Sequence, residues 1–546
     1  MRDSNNDIDD DLFDTLALVD NSHESLCPED DSRKLFSFAN IGLVISPAIS
    51  ISLSTLLLSL YYQFFIVYLG VSGNLHTFYA GAHSIAQILS VSFALLSDGY
   101  PIFGRRRKPY QIIAWILFIL TCVLLLTIPL PPPRHVFSTV PSINTSCEML
   151  FQERLQKPCF RDADTYLNYG LLYIIIIAFA VVFLNCAGAT SNGLIVDWST
   201  NLPIKSRGIL QTYVIVLTSI LNGMNSFILG FGFNWYKYAG PWCQGLTMTQ
   251  LFGIFAILGF IGLFSTTFNV TEERKELETL GIWKFLTGFW ETCQMVSWNK
   301  LTLFVFFASG SHFVTSPADS MILQYWIKQE SLTGTWSAIA SQFLSALTIG
   351  LFSTYIVNGN WRYVLIGIQA VFSIVNMTLT NLAIFNVLRN QYLYTPDIVF
   401  KNVNLNMYLV LIIIFGVEYT KEGFEATFVT CLMLALNAGS AFFNQMAVFI
   451  AAPFDVSTAG RYINDSRTDE IYVASANLIF NCINFFGLLS VIKLMPKNKM
   501  HCKHLKETTD RSTVLGYLFI GGLIGINIFN ITLTLLMPYI QKKLAH

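Results

Sequence analysis

Charge is scarce in this chain: Asp, Glu, Lys and Arg make up 12% of its 546 residues, about half the roughly 25% of a soluble domain. The shortage is also uneven. Charges gather in short segments between long apolar runs, a pattern that excludes a string of ordinary soluble domains. CxxC pairs are missing, so no zinc or dithiol framework is written. A phosphate loop, a nucleophile elbow and a His-rich metal cluster are missing too, leaving no sign of an ATP-driven pump, a hydrolase, a metal or another cofactor. No Lys/Arg stripe interleaved with aromatics points to nucleic acid. No residue is therefore assigned a catalytic role. Residues 1–40 lack an apolar h-region and hold eleven Asp/Glu against three Lys/Arg. They read as a disordered acidic tail rather than a cleavable signal.

What is present is apolar sequence. Runs at 41–69, 77–97, 110–131, 169–194, 208–233 and 246–268 precede a polar stretch at 269–300. Further runs follow at 301–326, 333–357, 362–386, 404–420, 424–453 and 471–494, with a last one at 513–538. Most exceed the roughly 20 residues a helix needs to cross a bilayer, and backbone groups in lipid must bond within their own segment. The expectation is an all-α membrane protein. An N-terminal six-helix bundle occupies 41–268, a cytoplasmic linker 269–300 and a C-terminal six-helix bundle 301–494. Residues 495–546 supply a basic segment and a thirteenth span. Pro47 marks a kink point in the first run. Two bundles joined by a linker is a common layout among secondary transporters.

With the N-terminus inside, the inner side receives 21 of the 33 Lys/Arg residues, which fixes the expected orientation. The Asn-x-Ser/Thr sites Asn144 and Asn464 then fall in outer polar loops, where glycosylation is possible. Cys147 and Cys159 share one of those loops and could form a disulfide.

The densest chemistry lies after the second run, in Ser97-Asp98-Gly99-Tyr100-Pro101-Ile102-Phe103-Gly104-Arg105-Arg106-Arg107-Lys108-Pro109-Tyr110. An acid at a helix end, a glycine turn and an arginine cluster can form switchable ion pairs that hold two bundles together in one conformation. The same arginines could instead only set topology and touch lipid phosphates. Asp98, Gly104, Arg106 and Arg107 are the candidate gating residues.

This segment resembles the signature of the folate–biopterin transporter family, a branch of the major facilitator superfamily, which carries S-D-x-x-P-I-F-G-Y-R-R-K/R-P-Y here. Arg105 replaces the usual Tyr, and Ala94 stands where Gly commonly precedes the Asp by four. The resemblance recurs in Arg207-Gly208-Ile209-Leu210-Gln211-Thr212, Trp361-Arg362 and Glu425-Ala426-Thr427, with Asn437 and Gly439 further along. It implies transport of folate, biopterin or a related anion; a lipid bilayer, protons as a candidate coupling ion and the plasma membrane as the place of work are further expectations for such a chain. Departures exist as well. In Asn192-Gly193-Leu194-Ile195-Val196-Asp197 the family's first acid is the neutral Asn192, which can bond a substrate but cannot carry a proton. A non-transporting receptor or scaffold on the same fold is the competing reading.

Ionisable and amide groups within apolar runs are costly and so are candidates for a substrate or proton pathway. Glu425 has only Lys421 nearby on its helix face, and could equally be a helix-start carboxylate. Asp319 either lines a cavity or sits in a loop marked by Pro317. His83 could meet a substrate or be a packing histidine. Asp197 and Arg207 flank one loop and could pair. Gln63 and Gln211 could bond a heterocycle or simply link helices. A folate would also require a cation for its carboxylates, and Arg207 and Lys421, both at helix ends, are the nearest candidates.

Overall fold

The computed structural model describes residues 40–71, 74–134, 163–204, 206–238, 242–272, 282–456, 459–508 and 510–544. The acidic tail up to residue 39, Asn144, Cys147 and Cys159 lie outside these described residues.

The first bundle contains α1 (Gly42–Leu60), α2 (Asn74–Gly99), α3 (Lys108–Thr127), α4 (Ala163–Thr200), α5 (Ile209–Gly232) and α6 (Met248–Phe268). Pro47 lies inside α1 without ending it; the helix changes character later, widening to a π-helix over Tyr61–Tyr68 that carries Gln63. The linker forms a short helix α7 (Ile282–Cys293). The second bundle contains α8 (Val296–Phe313), α10 (Ser331–Asn358), α11 (Trp361–Ile384), α12 (Gln391–Tyr419), α13 (Glu425–Ala451) and α15 (Arg467–Val491). Short helices α9 (Pro317–Met321) and α14 (Ala459–Asn464) sit between them. After it come α16 (Lys499–Glu507) and α17 (Thr513–Leu544). Twelve of these helices are long and apolar enough to cross a membrane, Thr513–Leu536 among them.

Two expectations from the pattern need correction. The 301–326 run is not one helix. It starts earlier, at Val296, and breaks after Phe313. Pro317, with no N–H to donate, starts α9 behind a Ser316 side-chain cap, and a π-turn follows over Ile322–Trp326. The 404–420 run is the second half of the 29-residue α12, whose first turns were hidden by Asp397 and Lys401. Residues 499–507 of the basic segment fold as the amphipathic α16.

Each bundle has its own core. Phe64, Trp115, Phe118, Tyr173, Phe252 and Phe255 fill the first; Trp298, Phe304, Trp361, Tyr408, Phe415 and Phe428 fill the second. The bundles meet along two seams, α5 against α10 and α2 with α4 against α13, and α17 lies over the second, touching α2 and α13. Here the contact residues are small: Ala94 of α2, Ala189 of α4 and Ala426 of α13 pack as one buried cluster. Lipid tails supply no hydrophobic drive between helices, so close approach of small residues and polar bonds must do that work.

Candidate functional site

The Ser97–Tyr110 loop closes the α2–α3 end of the molecule. Phe103 and Gly104 have φ of 54° and 75°. Ile102 and Arg105 exchange two backbone hydrogen bonds of 2.8 and 3.0 Å across this turn. A Cβ at Gly104 would meet nothing, so its glycine is required by backbone conformation rather than by space. The turn sends Arg107 back under the bundle, where it is 1% exposed.

Arg107 binds three carboxylates. Its Nε and Nη2 donate to Asp98 Oδ1 at 3.3 and 3.2 Å, its Nη1 lies 3.1 Å from Asp197 Oδ2, and its Nη2 bonds Glu425. Asp98 and Asp197 belong to the first bundle and Glu425 to the second, so the guanidinium ties the bundles together. Burial alone would weaken its hold on the proton; Asp98, then Glu425 and Asp197, overrule that and raise its pKa. Asp98 also crosses the seam by itself. Its Oδ2 accepts from the Thr427 N–H at 2.8 Å and the Thr427 hydroxyl at 2.9 Å. A carboxylate of one bundle thereby caps the N-terminal turn of a helix in the other, where the helix dipole favours negative charge.

Gly193 makes this approach possible. A Cβ there would stand 2.6 Å from Ala426 Cβ and 2.8 Å from Arg107 Nε, both impossibly close. Glu272, just after α6, accepts the backbone N–H groups of Arg106, Arg107 and Lys108 at 3.0, 3.0 and 2.8 Å. Lys108 answers by donating to the carbonyls of Thr267 and Val270 at 2.8 and 2.7 Å, near the end of α6. The loop that aims Arg107 is thus fixed at both its charges and its backbone.

Of the gating candidates, the structure brings Asp98 and Arg107 together and puts Gly104 at the turn between them; Arg106 lies apart. Its side chain faces a vestibule of about 650 Å³ on the loop side of the gate and makes none of the described ion pairs, because the tight turn alternates the arginines and turns only Arg107 inward. Asp197 and Arg207 do not pair with each other. Asp197 goes to Arg107, while Arg207 reaches Glu418 of the second bundle at 3.7 Å and donates to the carbonyls of Leu202 and Thr200. Glu425 finds its counter-charge in Arg107, 318 residues away, rather than in Lys421. Gln211 is fully buried and donates to Ser199 at 2.7 Å, linking α5 to α4. Asp319 sits in the first turn of α9, and Gln63 does not line the cavity described below.

Glu272, Glu418, Thr427, Gly193 and Lys499 were not read as site residues. Lys499, on α16, donates to the carbonyls of Ile204 and Arg207, each at 2.7 Å, and to Asn358 Oδ1 at 3.0 Å. It straps the second bundle to the first. Burial lowers its pKa to about 8, against the pull of Glu418. The folded value lies below that of an unfolded lysine, about 10.4, so the charged form is the one folding disfavours. Linkage then makes the folded chain gain stability as pH rises from about 8 toward 10. Lys499→Met, which leaves three acceptors without their donor, is expected to cost about 1–3 kcal/mol. Thermal unfolding of the purified protein reads this as a lower Tm, with the wild-type advantage growing between pH 8 and 10.

Beyond this charge cluster, farther from the loop end, a cavity of about 310 Å³ opens between the bundles. His83 and Gln87 of α2, Asn185 and Asn192 of α4, and Thr430 and Asn437 of α13 line it. His83, Asn192 and Asn437 are therefore brought together, while Asp98, Asp197 and Glu425 form the floor one to two turns away along the same helices.

No family model matches the chain, and no curated protein matches it either. Solved structures do. A proton:xylose symporter of the major facilitator superfamily, bound to 6-bromo-6-deoxy-D-glucose, superposes with a TM-score of 0.55 at 13% identity, covering 88% of this chain and all of the other. A structure of the D-xylose-proton symporter gives 0.51 at 11% identity over 85% of this chain and 98% of that one. The human organic anion transporter MFSD10 gives 0.50 at 12% identity, over 86% and 100%. This chain has the major facilitator fold, built as a multi-pass membrane protein.

Proposed function

We propose that the chain is a secondary transporter that moves a small organic solute by alternating access, and that the structure holds it closed at the loop end. One observation carries the reading: a buried arginine bonds carboxylates of both bundles directly beneath a polar cavity between them. Ion pairs that join two rigid bodies at one end, and that must break for that end to open, form a bistable element. A receptor or scaffold has no need of a breakable floor under a cavity. The gate carboxylates also offer protons a point of action, since neutralising Asp98, Asp197 or Glu425 removes a partner of Arg107. The family resemblance of the gate motif names pterin-type compounds as the solute.

The orientation follows from charge. The Arg105–Lys108 cluster and α16 lie at the same end, which is the cytoplasmic one by the positive-inside rule. Cys243, in the α5–α6 connection at the opposite end, is disulfide-bonded, as expected of an oxidising compartment, and the plasma membrane fits both. Asn464 is exposed at that same outer end. Asn144→Gln and Asn464→Gln are expected to raise gel mobility in a glycosylating host. A tag after His546 should be reachable by antibody on intact cells; staining only after permeabilisation would contradict the crossing of α17.

Uptake normalised to surface protein tests the function. Asp98→Asn keeps the side-chain size while removing the charge, and a coupling of 1–3 kcal/mol in such a network corresponds to about 5–150-fold in the conformational equilibrium. Biopterin uptake is expected to fall at least fivefold with abundance unchanged. Wild-type uptake by this variant would reduce the motif to a topology signal.

A further inference from the structure

The cavity above the gate has an unusual lining for a site expected to hold organic anions. Among the described residues that line it, His83 is the one ionisable side chain; there is no Lys, Arg, Asp or Glu. The remaining polar groups are hydroxyls and amides, among them Ser54, Gln87, Asn185, Asn192 and Asn437. Asn185 already accepts from the Ser54 hydroxyl at 3.3 Å, an arrangement of neutral dipoles. The nearest buried cation is Arg107, whose guanidinium is committed to three carboxylates. An anion brought to this depth would exchange its water for hydroxyls and amides alone, which cannot compensate a full charge, let alone two.

His83 adds a direction. Its Nδ1 lies 3.1 Å from the Tyr79 carbonyl. A carbonyl only accepts, so Nδ1 carries the proton and Nε2 of the neutral ring is left as an acceptor. That Nε2 is buried and has no partner among the described residues. Tyr79, whose ring lies tilted against that of His83 with centroids 4.8 Å apart, is itself bonded to the Leu57 carbonyl and does not supply the missing donor. A buried acceptor without a donor is a cost that a ligand with an N–H or O–H removes.

We infer that this cavity takes an uncharged, hydrogen-bonding solute, the size of a bicyclic heterocycle or a hexose, that donates to His83 Nε2, and that it rejects dianions such as intact folates. The inference rests on the transport reading and narrows its substrate. The volume agrees: about 310 Å³ is at the small end of ligand pockets, which run from roughly 300 to 1,000 Å³. A head group fits where a head group with a charged tail does not.

The test is uptake by proteoliposomes of the full chain, with labelled biopterin and D-glucose as uncharged probes and folate as the dianion. At least one uncharged probe is expected to enter at a hundredfold or more the rate of folate. His83→Phe should then lower that uptake at least tenfold, and His83→Gln, whose amide oxygen can accept, should recover part of it. Folate uptake equal to or above that of both uncharged probes overturns the inference and leaves the transport reading standing. Failure of all three probes to enter overturns both. Unchanged uptake by correctly inserted His83→Phe and His83→Gln overturns the role of Nε2.

Discussion

Arg107→Met is expected to abolish uptake, by a hundredfold or more, and to lower thermal stability in the same protein. The substitution leaves Asp98 and Glu425 facing each other in a water-poor seam with no cation between them. Removing one member of a buried charge network costs about 3–5 kcal/mol, because the charges left behind stay desolvated. Arg107→Lys should recover little. A single ammonium cannot reach three carboxylates that a planar fork of five donors does. Arg106→Gln supplies the contrast, since Arg106 faces the vestibule and makes none of the described pairs. It should keep most of the wild-type uptake. Equal losses from Arg106→Gln and Arg107→Met would mean that the cluster works through its total charge, and the geometry of the gate would be irrelevant.

Gly193→Ala is the second large effect, and it acts by shape alone. The added methyl would sit 2.6 Å from the Ala426 methyl and within 3 Å of the Arg107 side chain. Overpacking of this kind costs about 1–3 kcal/mol, paid only when the bundles are closed at the cytoplasmic end. The expected result is a roughly tenfold loss of uptake with normal surface abundance. Ala426→Gly in the same chain removes the opposing methyl and should restore part of the activity. A double variant no better than Gly193→Ala would place the clash elsewhere. Both substitutions keep every charge of the gate, and the part that Ala426→Gly does not restore measures the crowding of Arg107.

How far the sequence could be read divides along a physical line. Each membrane helix must satisfy its own backbone, so length and apolarity mark helices such as α3 and α6 directly. They fail at α8, where Pro317 breaks the run, and at the start of α12, where Asp397 and Lys401 interrupt the apolarity within a continuous helix. Asp397 is tolerated there because Asn376 donates to it at 2.9 Å, a partner on another helix that no window of sequence contains. The gate shows the same division. Asp98 and the arginine cluster stand out locally, but which arginine turns inward depends on φ at Phe103 and Gly104. That Glu425 is its partner depends on how two bundles dock. Gly193 was in plain view and gave no sign, since a glycine reveals its purpose only when its neighbour is known. Lys499 looked like one more topogenic charge in a basic segment, and only the fold of α16 shows it crossing to Ile204 and Arg207. The uncharged lining of the cavity is equally an outcome of docking: it joins residues from six helices of the two bundles.

Alternating access at this gate is best tested by a thiol placed in the cavity. Asn437→Cys, in a chain whose Cys27 and exposed Cys482 are replaced by Ser, would be probed with a membrane-impermeant maleimide applied from one side or the other. Labelling from the cytoplasmic side should be slow in this background and rise at least tenfold when Asp98→Asn is added, because the floor then opens more often. Equal and slow cytoplasmic labelling with and without Asp98→Asn would show that these ion pairs do not gate the cavity, and the central claim would be wrong.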